Sequence, residues 1–170
     1  LKEQGKLEEA IKAYKKVLSL EPDYAEPHNN MGVALQAQDK LEEAIEAFAK
    51  ALSLKPDYAD AYNNLGVALQ QQGKLDHAIE AYSKALSLKP DYAAAHLNLG
   101  VALQAQGKSE DAVVSYNKAL SLKPDYAQAY FNLGSVTLQE FGKLEEATEA
   151  FNKALFLKPD YAEAHRTLSL

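Results

Sequence analysis

Four asparagines recur at one position of a repeating pattern, and their amides are the side-chain chemistry that the sequence repeats most regularly. They lie 34 residues apart, at Asn30, Asn64, Asn98 and Asn132. An asparagine amide has one acceptor oxygen and two donor hydrogens, so an in-register series of amides can hold the backbone of an extended peptide without recognising its sequence. Asparagine is a poor residue inside helices because its side chain competes for backbone hydrogen bonds. Four asparagines inside helices therefore need an explanation.

Two interpretations of the asparagine series are open. In one, the amides bond from helix to helix between neighbouring repeats, or were simply inherited by duplication. In the other, they bind a peptide. We adopt peptide binding as the working hypothesis and expect that replacing Asn64 and Asn98 by alanine leaves melting nearly unchanged, because alanine is the better helix former.

Catalytic and metal-binding patterns are weak by comparison. His28, His96 and His165 occur one per repeat in a column that otherwise holds tyrosine, so we expect them to fill the core, and we expect His77 to be solvated. The recurring Glu-Glu pairs begin helices, where they complement the helix dipole. The sequence has no cysteine and no P-loop, GxGxxG, HExxH or GxSxG string. We therefore predict no catalytic residue, no metal site and no cofactor, and a protein that is not an enzyme.

Composition narrows the class of partner. The 170 residues include 18 Lys and Arg against 24 Asp and Glu, a net charge of -6, which argues against nucleic-acid binding. No apolar run approaches the roughly 20 residues that span a bilayer, and the first ten residues, LKEQGKLEEA, do not form a signal peptide. We therefore expect a soluble, cytoplasmic protein without membrane insertion. Because the sequence starts at Leu1 and its only methionine is Met31, we expect it to be part of a longer polypeptide.

A period of 34 residues organises the elements that position these side chains. Prolines mark it at spacings of 34, 34, 34 and 35, at Pro22, Pro56, Pro90, Pro124 and Pro159. Such a period indicates a solenoid. Four full repeats follow, repeats 1 to 4, at residues 25–58, 59–92, 93–126 and 127–161, with partial repeats at 1–24 (a second helix) and 162–170 (part of a first helix).

Each repeat is predicted to form two helices, A and B. In repeat 2, Asp57 is the expected N-cap of helix A and Gly73 marks the turn. Helix B is then expected to start near Leu75 and to end at Leu88-Lys89-Pro90, because a proline cannot continue a helix. No segment alternates as a strand does, so the predicted class is all-α.

The motif residues resemble the tetratricopeptide repeat. Repeat 2 shows the pattern of aromatic, leucine, glycine, alanine, aromatic and proline, as Tyr62, Leu65, Gly66, Ala78, Tyr82 and Pro90. The resemblance implies a single right-handed α-solenoid, a superhelix of antiparallel helix pairs over residues 1–170, that binds proteins in a concave groove lined by helices A. The asparagine series is similar to the ladder in the repeats of O-GlcNAc transferases. Repeat 4 departs by one extra residue between Ser135 and Gly142, which we expect to lengthen helix A or its turn.

The predicted function is non-catalytic binding of an extended peptide or protein segment. Besides the asparagine series, the predicted groove residues are Asn29, Asn63, Val33, Val67, Val101, Gln70 and Phe131, with Phe131 as a side-chain-selective anchor. Clamping of a C-terminal carboxylate is excluded because the groove positions lack cations except Arg166. Two alternatives are a substrate-presenting arm of a larger, transferase-like enzyme and a self-associating structural scaffold.

The two partial repeats predict self-association. Residues 162–170 supply the front of a repeat, with Leu168 and Leu170 near its inner side, and residues 1–24 supply the back, beginning near the turn into helix B. Together they make almost one complete repeat. We therefore predict head-to-tail stacking of copies through 1–24 and 162–170, a heterologous contact that forms open filaments rather than closed rings.

Overall fold

The computed structural model describes the backbone of residues 2–168 and the side chains of residues 5–168. The described residues form ten α-helices and no strand, so the predicted all-α class is confirmed. In chain order they are α1 (Lys2–Leu20), α2 (Ala25–Ala37), α3 (Leu41–Leu54), α4 (Ala59–Gln71), α5 (Leu75–Leu88), α6 (Ala93–Ala105), α7 (Ser109–Leu122), α8 (Ala127–Phe141), α9 (Leu144–Leu157) and α10 (Ala162–Leu168).

The predicted repeats coincide with helix pairs. Helix A of each full repeat is α2, α4, α6 or α8, and helix B is the helix that follows it. Consecutive helices pack against each other from α1 to α5 and from α6 to α10, as they do in a tetratricopeptide solenoid. Contacts divide the chain into two compact units, the first unit, Leu1–Pro90, and the second unit, Asp91–Leu170. The single solenoid predicted over 1–170 stays a prediction.

An aromatic ring on helix B packs directly on a glycine of helix A in every full repeat. A Cβ atom built on Gly66 would lie 2.5 Å from Cε1 of Tyr82, and one on Gly134 would lie 2.8 Å from Cε1 of Phe151. These rings are almost fully buried, as are the alanines around them. The close approach needs a glycine, because any side chain would occupy the space of the ring.

The N-termini of helices A differ from the sequence prediction. The N-cap residue of α4 is Tyr58, not Asp57, and no side chain caps the helix. The backbone N–H of Tyr58 donates to the carbonyl of Lys55 at 3.2 Å. This turn leaves Asp57 one residue too early to cap α4, so the predicted N-cap is wrong. Helix B, predicted to start near Leu75 and to end before Pro90, is confirmed and runs from Leu75 to Leu88.

The turn between helices A and B requires a left-handed residue. Gly73, Gly107 and Gly142 have φ values of 75°, 75° and 63°, and Asp39 adopts φ 60°. In repeat 2 the N–H of Lys74 donates to the carbonyl of Leu69 at 2.9 Å and closes a Schellman motif. The extra residue of repeat 4 lengthens helix A to 15 residues from 13 in the others, as predicted.

The first helix differs from the expectation that residues 1–24 begin near a turn. Helix α1 runs without interruption from Lys2 to Leu20, and Gly5, which stands at the turn position, lies inside it. The expected turn at Gly5 is therefore wrong for the described residues. Within α1 the backbone groups around Gly5 are paired in the helix rather than in a turn.

We predict that Gly66→Ala destabilises the first unit, because the new methyl group would overlap the ring of Tyr82. The free energy of unfolding should fall by about 1–3 kcal/mol, measured by urea denaturation followed by circular dichroism. Gly5→Ala is the control, because nothing lies within 4 Å of that site, and it should stabilise the helix by about 0.5–1 kcal/mol. Equal stability of Gly66→Ala and the wild type would show that the ring does not depend on the glycine.

Candidate functional site

The asparagine series lies on helices A, two members in each compact unit. Asn30 is exposed, and Asn64, Asn98 and Asn132 are half-buried. The valines about one turn further along the helices are exposed to a similar degree. Val33 is 45% exposed, and Val67 and Val101 are half-buried. We call this side of helices A, taken within each unit, the amide face.

Asn29 and Asn63, expected beside the series on the same side, are instead buried, with 5% and 7% of their surfaces exposed. Leu97, at the equivalent place in repeat 3, is buried as well. In the first unit the cause is the neighbouring helix A, because Nδ2 of Asn64 on α4 donates to Oδ1 of Asn29 on α2 at 3.0 Å. Asn29 therefore lies at the contact between repeats 1 and 2 rather than on open surface.

Two hydrogen bonds between side-chain amides connect α2 and α4, at two places along the helices. Besides the bond from Asn64 to Asn29, Nε2 of Gln36 donates to Oε1 of Gln71 at 2.8 Å. In the first unit, helix-to-helix bonding therefore accounts for one donor of Asn64. In the second unit, Oδ1 of Asn132 accepts from Nε2 of Gln128 on its own helix at 3.1 Å, so Asn132 keeps both donors for other partners.

Phe131 belongs to an aromatic cluster at the end of the second unit. Its ring lies 5.7 Å from the ring of Phe151 and 5.0 Å from that of Tyr161, measured between centroids. It packs against the buried residues Ala154 and Ala164 and is itself half-buried. The ring predicted as a peptide anchor thus also holds α8, α9 and α10 together.

Gln70 and its counterpart Gln104 accept hydrogen bonds from buried tyrosines. The hydroxyl of Tyr82 donates to Oε1 of Gln70 at 2.9 Å, and that of Tyr116 donates to Oε1 of Gln104 at 2.7 Å. Burial raises the pKa of both tyrosines above the ordinary value, so both hydroxyls keep their protons. The sequence placed Gln70 in the site but gave no sign of this partner.

An ion pair lies at the start of α2. Nζ of Lys55 lies 3.1 Å from Oε1 of Glu26. The hydrogen bond from Lys55 lowers the pKa of Glu26, and the same bond raises the pKa of Lys55. Nζ of Lys55 also lies 4.6 Å from the ring centroid of Tyr58. Both side chains are substantially exposed, so the pair contributes little to stability, but it neutralises one acidic group close to the amide face.

Two histidines expected to fill the core bond to backbone instead. The Nε2 atoms of His28 and His165 lie 3.0 Å and 2.8 Å from the carbonyl oxygens of Pro22 and Pro159, six residues earlier. A carbonyl only accepts, so Nε2 must have the proton in both. His28 is half-buried and His165 is exposed, so their role is to fasten the loop to helix A. His77 is exposed, as expected.

Other features of the described residues lie apart from the asparagines. A surface pocket of about 590 Å³ between α4 and α5 is lined by the apolar side chains of Tyr62, Leu65 and Leu69 and by charged residues that include Glu80 and Lys84. It contains no residue of the predicted site.

Among residues 2–168, no group of three or more His, Asp or Glu side chains could hold a metal ion. No helix in that range is long and apolar enough to cross a membrane.

The hydrogen bonds predict that two members of the series differ in their effect on stability. Asn64→Ala should lower the free energy of unfolding by about 1–3 kcal/mol, because it leaves the buried Oδ1 of Asn29 without its donor. This replaces the expectation from sequence that melting would not change. Asn132→Ala should change stability by less than about 0.5 kcal/mol, because its bond lies on the surface. Thermal melting of the two variants makes the comparison, and equal losses would contradict it.

Comparison with known proteins agrees with this architecture. A family model described as TPR repeat matches residues 1–39, 37–73, 71–107 and 102–140, and one described as tetratricopeptide repeat matches 127–161. No curated protein sequence matches.

Among solved structures, the chain is similar to MamA, with 31% identity over 95% of this chain and 94% of that one and a TM-score of 0.82. It is similar to MamA from Desulfovibrio magneticus RS-1, with 25% identity, coverage of 94% and 90% and a TM-score of 0.82. YrrB, described as a TPR protein with an unusual peptide-binding site, is 25% identical, with coverage of 100% and 87% and a TM-score of 0.79. The repeats, the helix pairs and these matches together show that the chain belongs to the tetratricopeptide repeat family.

Proposed function

We propose that the chain is a non-catalytic protein-interaction module that binds an extended peptide segment on the amide face. The observation that supports this most directly is the recurrence of an amide at the same place on every full helix A, with Asn30 exposed and both donors of Asn132 available. A bound backbone would accept from the asparagine donors and donate to their oxygens. Val33, Val67 and Val101 would add apolar contact beside the bonds.

Several features of the molecule favour an uncharged main chain as the ligand. The net charge is -6, and the acidic side chain of Glu26 is paired with Lys55. Each neutral hydrogen bond contributes about 0.5–1.5 kcal/mol. Because Asn64 already uses one donor within the protein, the asparagine bonds contribute a few kcal/mol, which alone corresponds to about millimolar affinity. The apolar contact with the valines must supply the rest of a micromolar affinity. The likeness to YrrB, which is described as having a peptide-binding site, agrees with this class of ligand.

We predict that Asn132→Ala weakens peptide binding by about three- to tenfold, the effect of losing one or two neutral hydrogen bonds. The probe is the 12-residue peptide that the wild-type chain selects from a random phage-displayed library, with affinity measured by fluorescence anisotropy. Asn132 suits this test because its loss should not alter the fold.

Asn152→Ala is the matched control, because Asn152 is an exposed asparagine of the same unit on helix B. It should bind the probe as the wild type does. A scrambled form of the probe should keep its affinity within a few-fold, since the amides contact the main chain. An equal loss in both variants, or a scrambled peptide that no longer binds, would contradict the proposal.

The two alternative functions would use different surfaces of the chain. As a substrate-presenting arm of a larger, transferase-like enzyme, the chain would use the same face, and the two roles differ only in what adjoins it. Self-association of copies through 1–24 and 162–170 is a separate proposal, supported by apolar side chains that are exposed at the two described ends, Val17 and Leu20 on α1 and Leu168 on α10. Leu170, predicted to join them, lies outside the described residues.

For self-association we predict concentration-dependent, open-ended growth in sedimentation velocity, which Leu20→Glu abolishes because it places a charge in the apolar contact. Val114→Glu is the control, because Val114 is 68% exposed on α7, which is neither end, and it should sediment as the wild type does. A closed, compact dimer at high concentration, or growth that Leu20→Glu leaves unchanged, would contradict head-to-tail stacking.

A further inference from the structure

The buried tyrosines of repeats 2 and 3 differ from their counterparts in repeats 1 and 4. Tyr82 and Tyr116 are 1% and 0% exposed and pack on glycine, as Phe48 and Phe151 do. The ring therefore does not require a hydroxyl for packing. In both tyrosine repeats the hydroxyl donates to a glutamine near the end of helix A. The hydroxyl thus has a role that packing does not explain.

The bond from tyrosine fixes which end of the glutamine amide is free. Since each hydroxyl keeps its proton, it acts as the donor, and the amide oxygen must face it. The amide nitrogen is then directed away from the ring. Among the described residues, no protein group accepts from Nε2 of Gln70 or Gln104, and both glutamines are half-buried rather than buried.

The other two full repeats do not present such a donor. In repeat 1, where the ring is Phe48, Nε2 of Gln36 donates to Oε1 of Gln71. In repeat 4, where the ring is Phe151, the equivalent residue is Leu138. At this position of the four full repeats, all of them described, a glutamine with an oriented, unused donor thus occurs only where the ring is tyrosine.

Gln70 lies at the edge of the amide face. It follows Asn64 and Val67 at intervals of three along α4, so the three side chains step around one side of the helix. The side chains Asn98, Val101 and Gln104 repeat this arrangement on α6. A backbone bound against the asparagines could therefore reach the glutamine nitrogen.

We propose that Tyr82 and Tyr116 are positioning residues: their hydroxyls hold the amides of Gln70 and Gln104 with N–H groups turned outward, where they donate to main-chain carbonyl oxygens of a bound extended peptide. This inference rests on the proposed function of the amide face. It assigns to repeats 2 and 3 a donor whose direction is fixed by a buried tyrosine of the same repeat. The ligand chemistry is a carbonyl acceptor, as every peptide bond provides.

The test uses Tyr82→Phe in the 170-residue chain, a change with a natural precedent in Phe48 and Phe151. Affinity for the phage-selected 12-residue peptide should fall about two- to tenfold, the effect of one neutral hydrogen bond. In a Gln70→Ala background, Tyr82→Phe should cause no further loss, because the tyrosine acts through the glutamine. Tyr62→Phe, on a half-buried tyrosine of the same repeat, is the control and should bind as the wild type does.

A second measurement does not depend on a ligand. In ¹⁵N-labelled protein the side-chain NH₂ group of Gln70 should be ordered in the wild type and mobile in Tyr82→Phe, with Tyr62→Phe like the wild type. Equal order in Tyr82→Phe and the wild type would overturn the positioning role even if no peptide were found. If Asn132→Ala weakens the probe but Tyr82→Phe does not, this inference fails and the proposed function stands. If Asn132→Ala has no effect, the proposed function fails.

Discussion

The contact between a helix B ring and a helix A glycine is the constraint on which every full repeat depends. Because the ring of Tyr82 occupies the space where a side chain of Gly66 would be, the two helices approach closely enough to bury the alanines between them. The same contact sets which sides of helix A remain for its neighbours and for a ligand. It also brings the ring edge to the end of helix A, where a hydroxyl, if present, meets a glutamine.

Much of the fold could be predicted from sequence because the signals are local and periodic. Glycine, proline and the apolar stripe of each helix gave the bounds of helix B in repeat 2 and the all-α class. The N-cap at Asp57 could not be predicted correctly, since a turn closed by the backbone of Tyr58 moves the N-cap and the helix start by one residue. The preference of aspartate for the N-cap position was overridden here by the backbone hydrogen bond from Tyr58 to Lys55.

The candidate site was harder to predict because its side chains contact other repeats. A helical wheel of one helix placed Asn29 and Asn63 on the open side, but solenoid helices have neighbours on more than one side, and both residues are buried. The members of the asparagine series differ in their hydrogen bonds. Asn64 donates to Asn29 on the neighbouring helix A, whereas Asn132 accepts from Gln128 on its own helix. The pairing of tyrosine with glutamine joins two positions 12 residues apart, a relation that no single-helix pattern reveals.

The longer helix of repeat 4 has a consequence for how such chains vary in length. The interval from glycine to ring is 16 residues in repeat 2, from Gly66 to Tyr82, and 17 in repeat 4, from Gly134 to Phe151, yet the ring meets the glycine in both. The backbone absorbs the additional residue where the N–H of Lys143 donates to the carbonyl of Thr137 at 3.3 Å. The junction between the paired helices is therefore a site of tolerated insertion, where a reporter residue or an evolutionary length change leaves the helix-to-helix contact of its repeat in place.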